Sequence, residues 1–208
     1  MILEPNWNAP SNIRALMTRV PLEVDLPYQP TWLTQVHGAK VVSLPGPQNQ
    51  EADAAVTHQA GTICVVKTAD CLPILVTNQA GTEVAAIHAG WRGLVAGVIE
   101  ATFAKMRAHP QDCLAWIGPA ISQAHFEVGP EVRDAFLKVD LDFATDFLQN
   151  AAGRYQANLA RMAEKVLRKL GVNQVSQSGL CTYADPRFYS YRRDHGQTGR
   201  MASLIYIL

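Results

Sequence analysis

With 208 residues, 48% of them hydrophobic and 17% charged, the chain is long enough for one domain with a sizeable core and too apolar to be disordered. Eighteen basic side chains balance eighteen acidic ones, which argues against the basic stripe by which proteins track nucleic-acid phosphates. A small anionic ligand stays open, because two or three converging arginines need no global surplus.

The opening "MILEPNWNAP" lacks the basic flank and apolar run of a signal peptide, and no apolar stretch approaches the length of a membrane span. The cysteines, Cys64, Cys71, Cys113 and Cys181, form no CxxC pair and are expected to stay reduced. A soluble cytoplasmic protein is the expectation, with neither nucleic acid nor membrane as partner.

In chain order, "TWLTQV" (31–36) reads as a strand, followed by a surface loop through the Pro/Gln-rich "LPGPQNQEAD" (44–53). "TICVVK" (62–67), "LPILVT" (72–77) and "EVAAIH" (83–88) are further strands, the last two joined as a hairpin through "NQAG" (78–81). Leu94, Val98 and Met106 lie near helical spacing and predict a helix over 93–107, with Gly93 and Gly97 allowing a close approach to another backbone. "CLAWIG" (113–118) is a strand, and "GPEVRDAFL" opens a helix with Pro130 in its first turn and Glu131 and Asp134 early. "YQANLARMAEKVLRKLG" is the clearest helix: Leu159, Met162, Ala163, Val166 and Leu170 recur at three and four, and Gly171 ends it. "ASLIYIL" closes the chain as a strand. Strands and helices mix without strict alternation, so the fold class expected is α+β in a single domain over residues 1–208.

Three reactive side chains sit beside glycine or proline at predicted strand ends: His37 in "TQVHG", Cys71 in "TADCLP" and His88 in "IHAGWRG". A chain seeking only a core has no reason to put them there. Two imidazoles and a thiolate make a three-ligand zinc set with the fourth tetrahedral position open. They come from separate segments, so spacing alone leaves the bland alternatives standing: a buried thiol as a small hydrophobe, a histidine as a hydrogen-bonded structural residue. Cys71 with His88 also fits a thiolate nucleophile and its base, as in a cysteine hydrolase. Asp70 either orients the histidine or bonds nearby backbone N–H groups, and as a neighbour of Cys71 in a strand it points to the opposite face.

Near the C-terminus, "FYSYRRDHGQTGRMAS" sets Arg192, Arg193 and Arg200 among Tyr189 and Tyr191. Guanidinium forks match phosphate oxygens and aromatic faces stack on planar bases, whereas the plain alternative is a solvated charged loop. Arg92, four residues after His88, either points into the same cleft or pairs with an acid. H-E-x-x-H, G-x-S-x-G, Walker A, G-x-G-x-x-G and the zinc-deaminase pattern are all absent.

Taken in order, "TWLTQVHG", "EADAAVT", "KTADCLPIL", "AAIHAGWRG", "WIGPAIS" and "FYSYRRDHGQTGRMASLIYIL" closely resemble the YfiH-like, or laccase-domain, family, described first as multicopper polyphenol oxidases and later as purine nucleoside phosphorylases. The resemblance implies a mixed β-sandwich with flanking helices and a zinc site of His37, Cys71 and His88, which also carry the catalysis. It implies phosphorolysis of adenosine, inosine and methylthioadenosine together with adenosine deamination. The expected partners are a purine nucleoside and phosphate, for a monomer or homodimer, with Arg92, Arg192 and Arg193 as candidates for the phosphate.

Copper is the alternative metal, since a thiolate and two imidazoles also hold Cu2+. A multicopper centre needs many more imidazoles in paired motifs than six scattered histidines provide. The chain departs from the family between Arg19, which lies near the place of a family arginine, and Trp32. Relatives carry a long glycine-rich segment there that helps wall the pocket. That shortened N-terminal region is the ground for a further alternative, a nucleoside-binding protein without turnover. A smaller departure places His195 and Gln197 where relatives have a short glycine turn.

Overall fold

The computed structural model describes residues 1–208. Its organisation follows from strands too apolar to tolerate water on either face. Met201 to Ile207 are all buried: Ser203, Ile205 and Ile207 alternate with Ala202, Leu204 and Tyr206, so this strand needs a cover on both sides.

Sixteen strands, numbered in chain order, form two principal sheets. The first runs β1 (Ile2–Leu3), β2 (Ile13–Val20), β16 (Arg200–Ile207), β8 (Ile63–Thr68), β3 (Pro30–Thr31), antiparallel except for the last pair. The second runs β15 (Gln174–Gln177), β11 (Cys113–Ile117), β9 (Leu72–Asn78), β10 (Val84–Ala89), β7 (Ala54–Thr57), β5 (Val41–Ser43), antiparallel within and parallel at both edges. A parallel pair, β4 (Leu33–Thr34) and β6 (Gln50–Glu51), and a small sheet of β12 (Glu127–Val128), β13 (Phe147–Gln149) and β14 (Tyr155–Ala157) complete the set.

Cys64, Val66 and Ile205 of the first sheet pack against Ala55, Leu75, Ala86 and Trp116 of the second, forming a mixed β-sandwich. The second sheet's other face, with Ile74, Val76 and Ile87, is covered by helices through Ile99, Phe103, Phe136, Met162 and Leu167. The first sheet's outer face takes Leu22, Leu26 and Trp32 from the segment after β2. The architecture is the α+β sandwich expected. No helix is long and apolar enough to cross a membrane.

Several predicted elements are redrawn. The helix placed over 93–107 is two, α1 (Trp91–Val95) and α2 (Val98–Lys105). Gly97, at φ 83°, donates its N–H to Leu94 O, and that left-handed residue ends one helix and opens the next. α3 (Pro130–Val139) follows Gly129 as read. α4 (Leu159–Leu170) starts later than predicted, because the Asn158 side chain caps it by accepting from Arg161 N, and residues 155–157 pair as a strand instead. "TWLTQV" splits between β3 and β4, which belong to different sheets.

Asp70 holds the site's surroundings together. Its backbone is left-handed, at φ 84°, which breaks the chain between β8 and β9. Its buried carboxylate accepts from Thr182 Oγ1 at 2.6 Å, Ser190 Oγ at 3.1 Å and Arg192 N at 2.7 Å. Asp70 therefore neither orients a histidine nor bonds a neighbouring turn; it fastens a segment more than a hundred residues away along the chain.

Two stability changes follow. Trp116→Ala empties a fully buried site between the sheets and strands Asn6 Oδ1, which accepts from its indole N–H, so urea denaturation should show a loss of about 3–5 kcal/mol. Asp70→Ala leaves three donors without their acceptor and should cost on the order of 2–3 kcal/mol. It should also speed amide exchange over 182–192; exchange confined to other segments would contradict the anchoring role.

Candidate metal centre

The site lies at the end of the sandwich where β8 and β10 stop. Along β10, Val84, Ala86 and His88 alternate with Ala85, Ile87 and Ala89, so His88 faces the side on which the first sheet packs. Cys71 immediately precedes β9, beside that strand's pairing with β10, where Leu72 lies opposite Ala89.

His37 comes from a loop with no strand of its own. Gln35 secures it to β8: its side chain donates to Lys67 O and accepts from Lys67 N, both at 2.7 Å, in the manner of one more ladder rung. His37 itself has φ 61°, a left-handed conformation that side chains seldom adopt and that needs support from its surroundings. Gly90 leaves the room, since a Cβ there would lie 2.9 Å from Cys71 Sγ and 3.2 Å from His37 Cδ2.

The three side chains meet. One donor atom from each of His37, Cys71 and His88 lies within 4.8 Å of the other two, and the two imidazoles stand edge to face with centroids 4.7 Å apart. His37 is exposed, Cys71 partly buried and His88 buried, so the cluster opens toward solvent on one side.

A residue that the sequence reading did not single out organises them. Asp53, fully buried, accepts from the N–H groups of Val36, His37 and Gly38 at 3.2, 2.9 and 2.8 Å, and its Oδ1 lies 2.7 Å from His88 Nδ1. The only hint was its place in "EADAAVT", quoted for resemblance and not for chemistry.

Electrostatics follow this geometry. Burial pushes the Asp53 carboxyl up, but hydrogen bonds from His88 and from the loop N–H groups more than reverse this and leave it below its ordinary value. Burial opposes charge on His88, yet Asp53 and Cys71 together raise it to about 9. Burial likewise raises the Cys71 thiol, and hydrogen bonds from His37 and His88 bring it down to about 7, whereas burial pushes Cys64 and Cys113 up. Cys71 is thus poised as a thiolate, the form that binds metals and attacks electrophiles.

The donor set fits a zinc-type ion. With Nδ1 of His88 donating to a carboxylate, Nε2 is the nitrogen left to give up its proton and bind a metal, the arrangement metal-binding histidines commonly use.

The cluster lines a cavity of about 630 Å3, whose wall includes Gln35, Lys67, Thr68, Arg92, Tyr191 and Arg200. Three cations and no carboxylate line it, and none of the three is in an ion pair. Arg92 has only the Trp91 face beneath it, with 4.5 Å from guanidinium carbon to ring centroid.

Arg192 and Arg193 lie outside this lining. Arg192 donates to Glu127 O and covers Phe126; Arg193 donates to the carbonyls of Thr182, Tyr183 and Phe188 and pairs with Asp194. Arg19 donates to Arg187 O and covers Tyr189.

Comparison with known proteins places this geometry in context. The family model for multi-copper polyphenol oxidoreductase laccase matches residues 7–208. A Shigella flexneri protein named purine nucleoside phosphorylase YfiH is 48% identical over 187 residues, covering 88% of this chain and 76% of its own. A Haemophilus influenzae purine nucleoside phosphorylase is 41% identical over an alignment of 242 positions that covers 98% of each chain. That alignment is longer than the 208 residues present here, so the relative carries residues this chain lacks. Among solved structures, a Neisseria meningitidis protein superposes with a TM-score of 0.91 at 38% identity, covering 99% of this chain and 98% of that one. Bacillus licheniformis YfiH superposes with a TM-score of 0.80 at 26% identity, covering 86% and 74% respectively. With one family model spanning nearly all of it and relatives this close along most of their length, the chain belongs to the YfiH-like, laccase-domain family.

Proposed function

We propose that this chain is a zinc-dependent purine nucleoside phosphorylase acting on adenosine, inosine and methylthioadenosine, with adenosine deamination as a second reaction of the same cavity. The observation that carries the reading is the convergence of His37, Cys71 and His88 in a cavity whose permanent charges are all positive. The relatives' printed names supply the reaction class.

In phosphorolysis a phosphate oxygen bonds to the anomeric carbon while the glycosidic C–N bond breaks. Its electron pair leaves with the purine, which takes up a proton. The sugar is electron-poor and the base electron-rich at the transition state, so the site must hold an anion on one side and stabilise charge on the other. Arg92 is the leading phosphate ligand, because its guanidinium has no carboxylate or carbonyl partner. Lys67 and Arg200 add charge from the cavity wall, in place of Arg192 and Arg193, which lie outside it. Tyr191, exposed on the cavity wall, offers an aromatic face to the purine. Zinc held by the three donors supplies Lewis acidity.

Copper binds such a donor set more tightly than zinc, so copper uptake at the same residues accounts for the family's oxidase name. The chain has one such cluster, not the several that a multicopper centre requires. All four cysteines are free, which suits a reducing compartment, and we place the protein in the cytoplasm as a monomer or homodimer.

The chain of contacts from Asp53 through His88 to Cys71 favours a second reading, a metal-free cysteine hydrolase. Metal content separates the two. The zinc reading expects stoichiometric zinc, lost in Cys71→Ser; alkylation of Cys71 at a rate indifferent to chelators favours the hydrolase.

Incubating the zinc-loaded protein with adenosine and phosphate should release adenine and inosine, resolved chromatographically. Cys71→Ser should depress both by more than about a hundredfold, beyond the usual effect of losing an outer-shell partner. Arg92→Ala should raise the KM for phosphate about tenfold, the worth of one charge-assisted hydrogen bond. Nucleoside binding with no turnover at any phosphate concentration would leave a binding protein in place of an enzyme.

A further inference from the structure

We infer that Asp53 is the positioning residue of the metal centre, one carboxylate that sets the tautomer of His88 and the placement of His37 together. The inference rests on the zinc reading above and deepens it.

Two of the three ligands depend on this group. Oδ1 receives His37 N and faces His88 Nδ1, while Oδ2 receives Val36 N and Gly38 N. Every partner is a donor, and the carboxylate has no exposure to water. The same residue fixes β10 through its main chain, because Asp53 O accepts from His88 N at 2.7 Å. Asp53 N in turn donates to Lys40 O, just past the His37 loop. Backbone and side chain of one residue thus join the His37 loop to the strand that carries His88.

This geometry makes a specific demand on chemistry. An ionised carboxylate accepts only, so the ring nitrogen facing it must carry a proton, and a metal entering the cluster displaces the other ring proton and binds Nε2. Asparagine has nearly the same shape but one acceptor and one donor. In either amide orientation its NH2 group faces at least two donors: His88 with His37 N–H, or Val36 N–H with Gly38 N–H. The first orientation drives His88 to the other tautomer, and the second releases the loop beside His37. No flip satisfies both.

Asp53→Asn, prepared free of metal and then titrated, tests the inference. Zinc affinity measured by chelator competition should fall about 10- to 100-fold. The ring 15N shifts of His88 should move away from a proton fixed on Nδ1, and the thiolate-to-metal band of the cobalt-loaded protein should be displaced. A purely structural role predicts lower thermal stability with zinc affinity, ring shifts and cobalt band unchanged, and that result in a folded variant overturns the inference while leaving the zinc reading intact. Failure of the wild type to bind zinc removes the reading itself. If the variant does not fold, the zinc-loaded wild type decides: ring shifts placing the one remaining His88 proton on Nδ1 uphold the inference, and a proton on Nε2 refutes it.

Discussion

A buried carboxylate surrounded only by donors is the constraint on which the centre depends. Burying Asp53 without partners would cost several kcal/mol, roughly the effective penalty for an ion taken from water. Three backbone N–H groups and an imidazole replace that lost water, and they come from two segments that the sheet does not otherwise join. The His37 loop has no ladder of its own and a left-handed residue at its tip, so it holds its shape through Asp53 on one side and the Gln35–Lys67 pair on the other. Asp70 repeats the device: its donors come from 182–192, the segment that carries Tyr191 to the cavity wall. Two buried acids, each beside a strand that supplies the sandwich, therefore fix the two walls of one cavity.

The position of the site follows from the sandwich. Between the sheets the space is filled by Val66, Leu75, Ala86 and Trp116, and no ligand can enter there. At the strand ends the pairing stops, Asp70 turns the chain, and side chains that alternate toward the interior face a gap in place of an opposing sheet. Cys71 and His88 occupy those positions. Gly90 supplies the missing volume, since any side chain there would collide with the thiol. Placing reactive groups at strand ends gives them a rigid support on one side and access on the other.

Much of this was legible in the sequence. β8, β9, β10, β11 and β16 are dense in β-branched, aliphatic or aromatic residues bounded by turns, and the three reactive residues stood out because each interrupts such a run beside glycine or proline. β2 escaped notice because Arg14, Thr18 and Arg19 interrupt its apolar pattern, even though β16 covers its full length. The break at Gly97 was hidden because its glycine was read as allowing close packing, whereas its positive φ is what separates two helices. Asp53 was invisible for a different reason. Its significance lies in partners 15 to 35 residues away on both sides, and no local pattern marks an acid destined to accept from them. The arginines show the same limit. Arg192 and Arg193 look the more conspicuous as a pair, but nearby carbonyls occupy them; Arg92 is free because nothing around it accepts.

Charge distribution turns this geometry into an argument about what the cavity awaits. Several cations elsewhere sit against acids: Lys165 and Arg161 meet Asp146, and Lys169 meets Asp140 and Asp142. Lys67, Arg92 and Arg200 share one cavity with no acid in its wall, so they repel one another across a space partly shielded from water. The nearest opposing charges are the Cys71 thiolate and, behind His88, the buried Asp53 carboxylate, which a divalent cation would offset. A metal-loaded centre therefore leaves the cavity strongly positive, in a chain whose total charge is zero. A neutral nucleoside alone cannot offset that excess, whereas a dianionic co-substrate can. The electrostatics of the wall thus suit a cavity that holds an anion beside any neutral ligand, a demand that the three donor residues alone would not reveal.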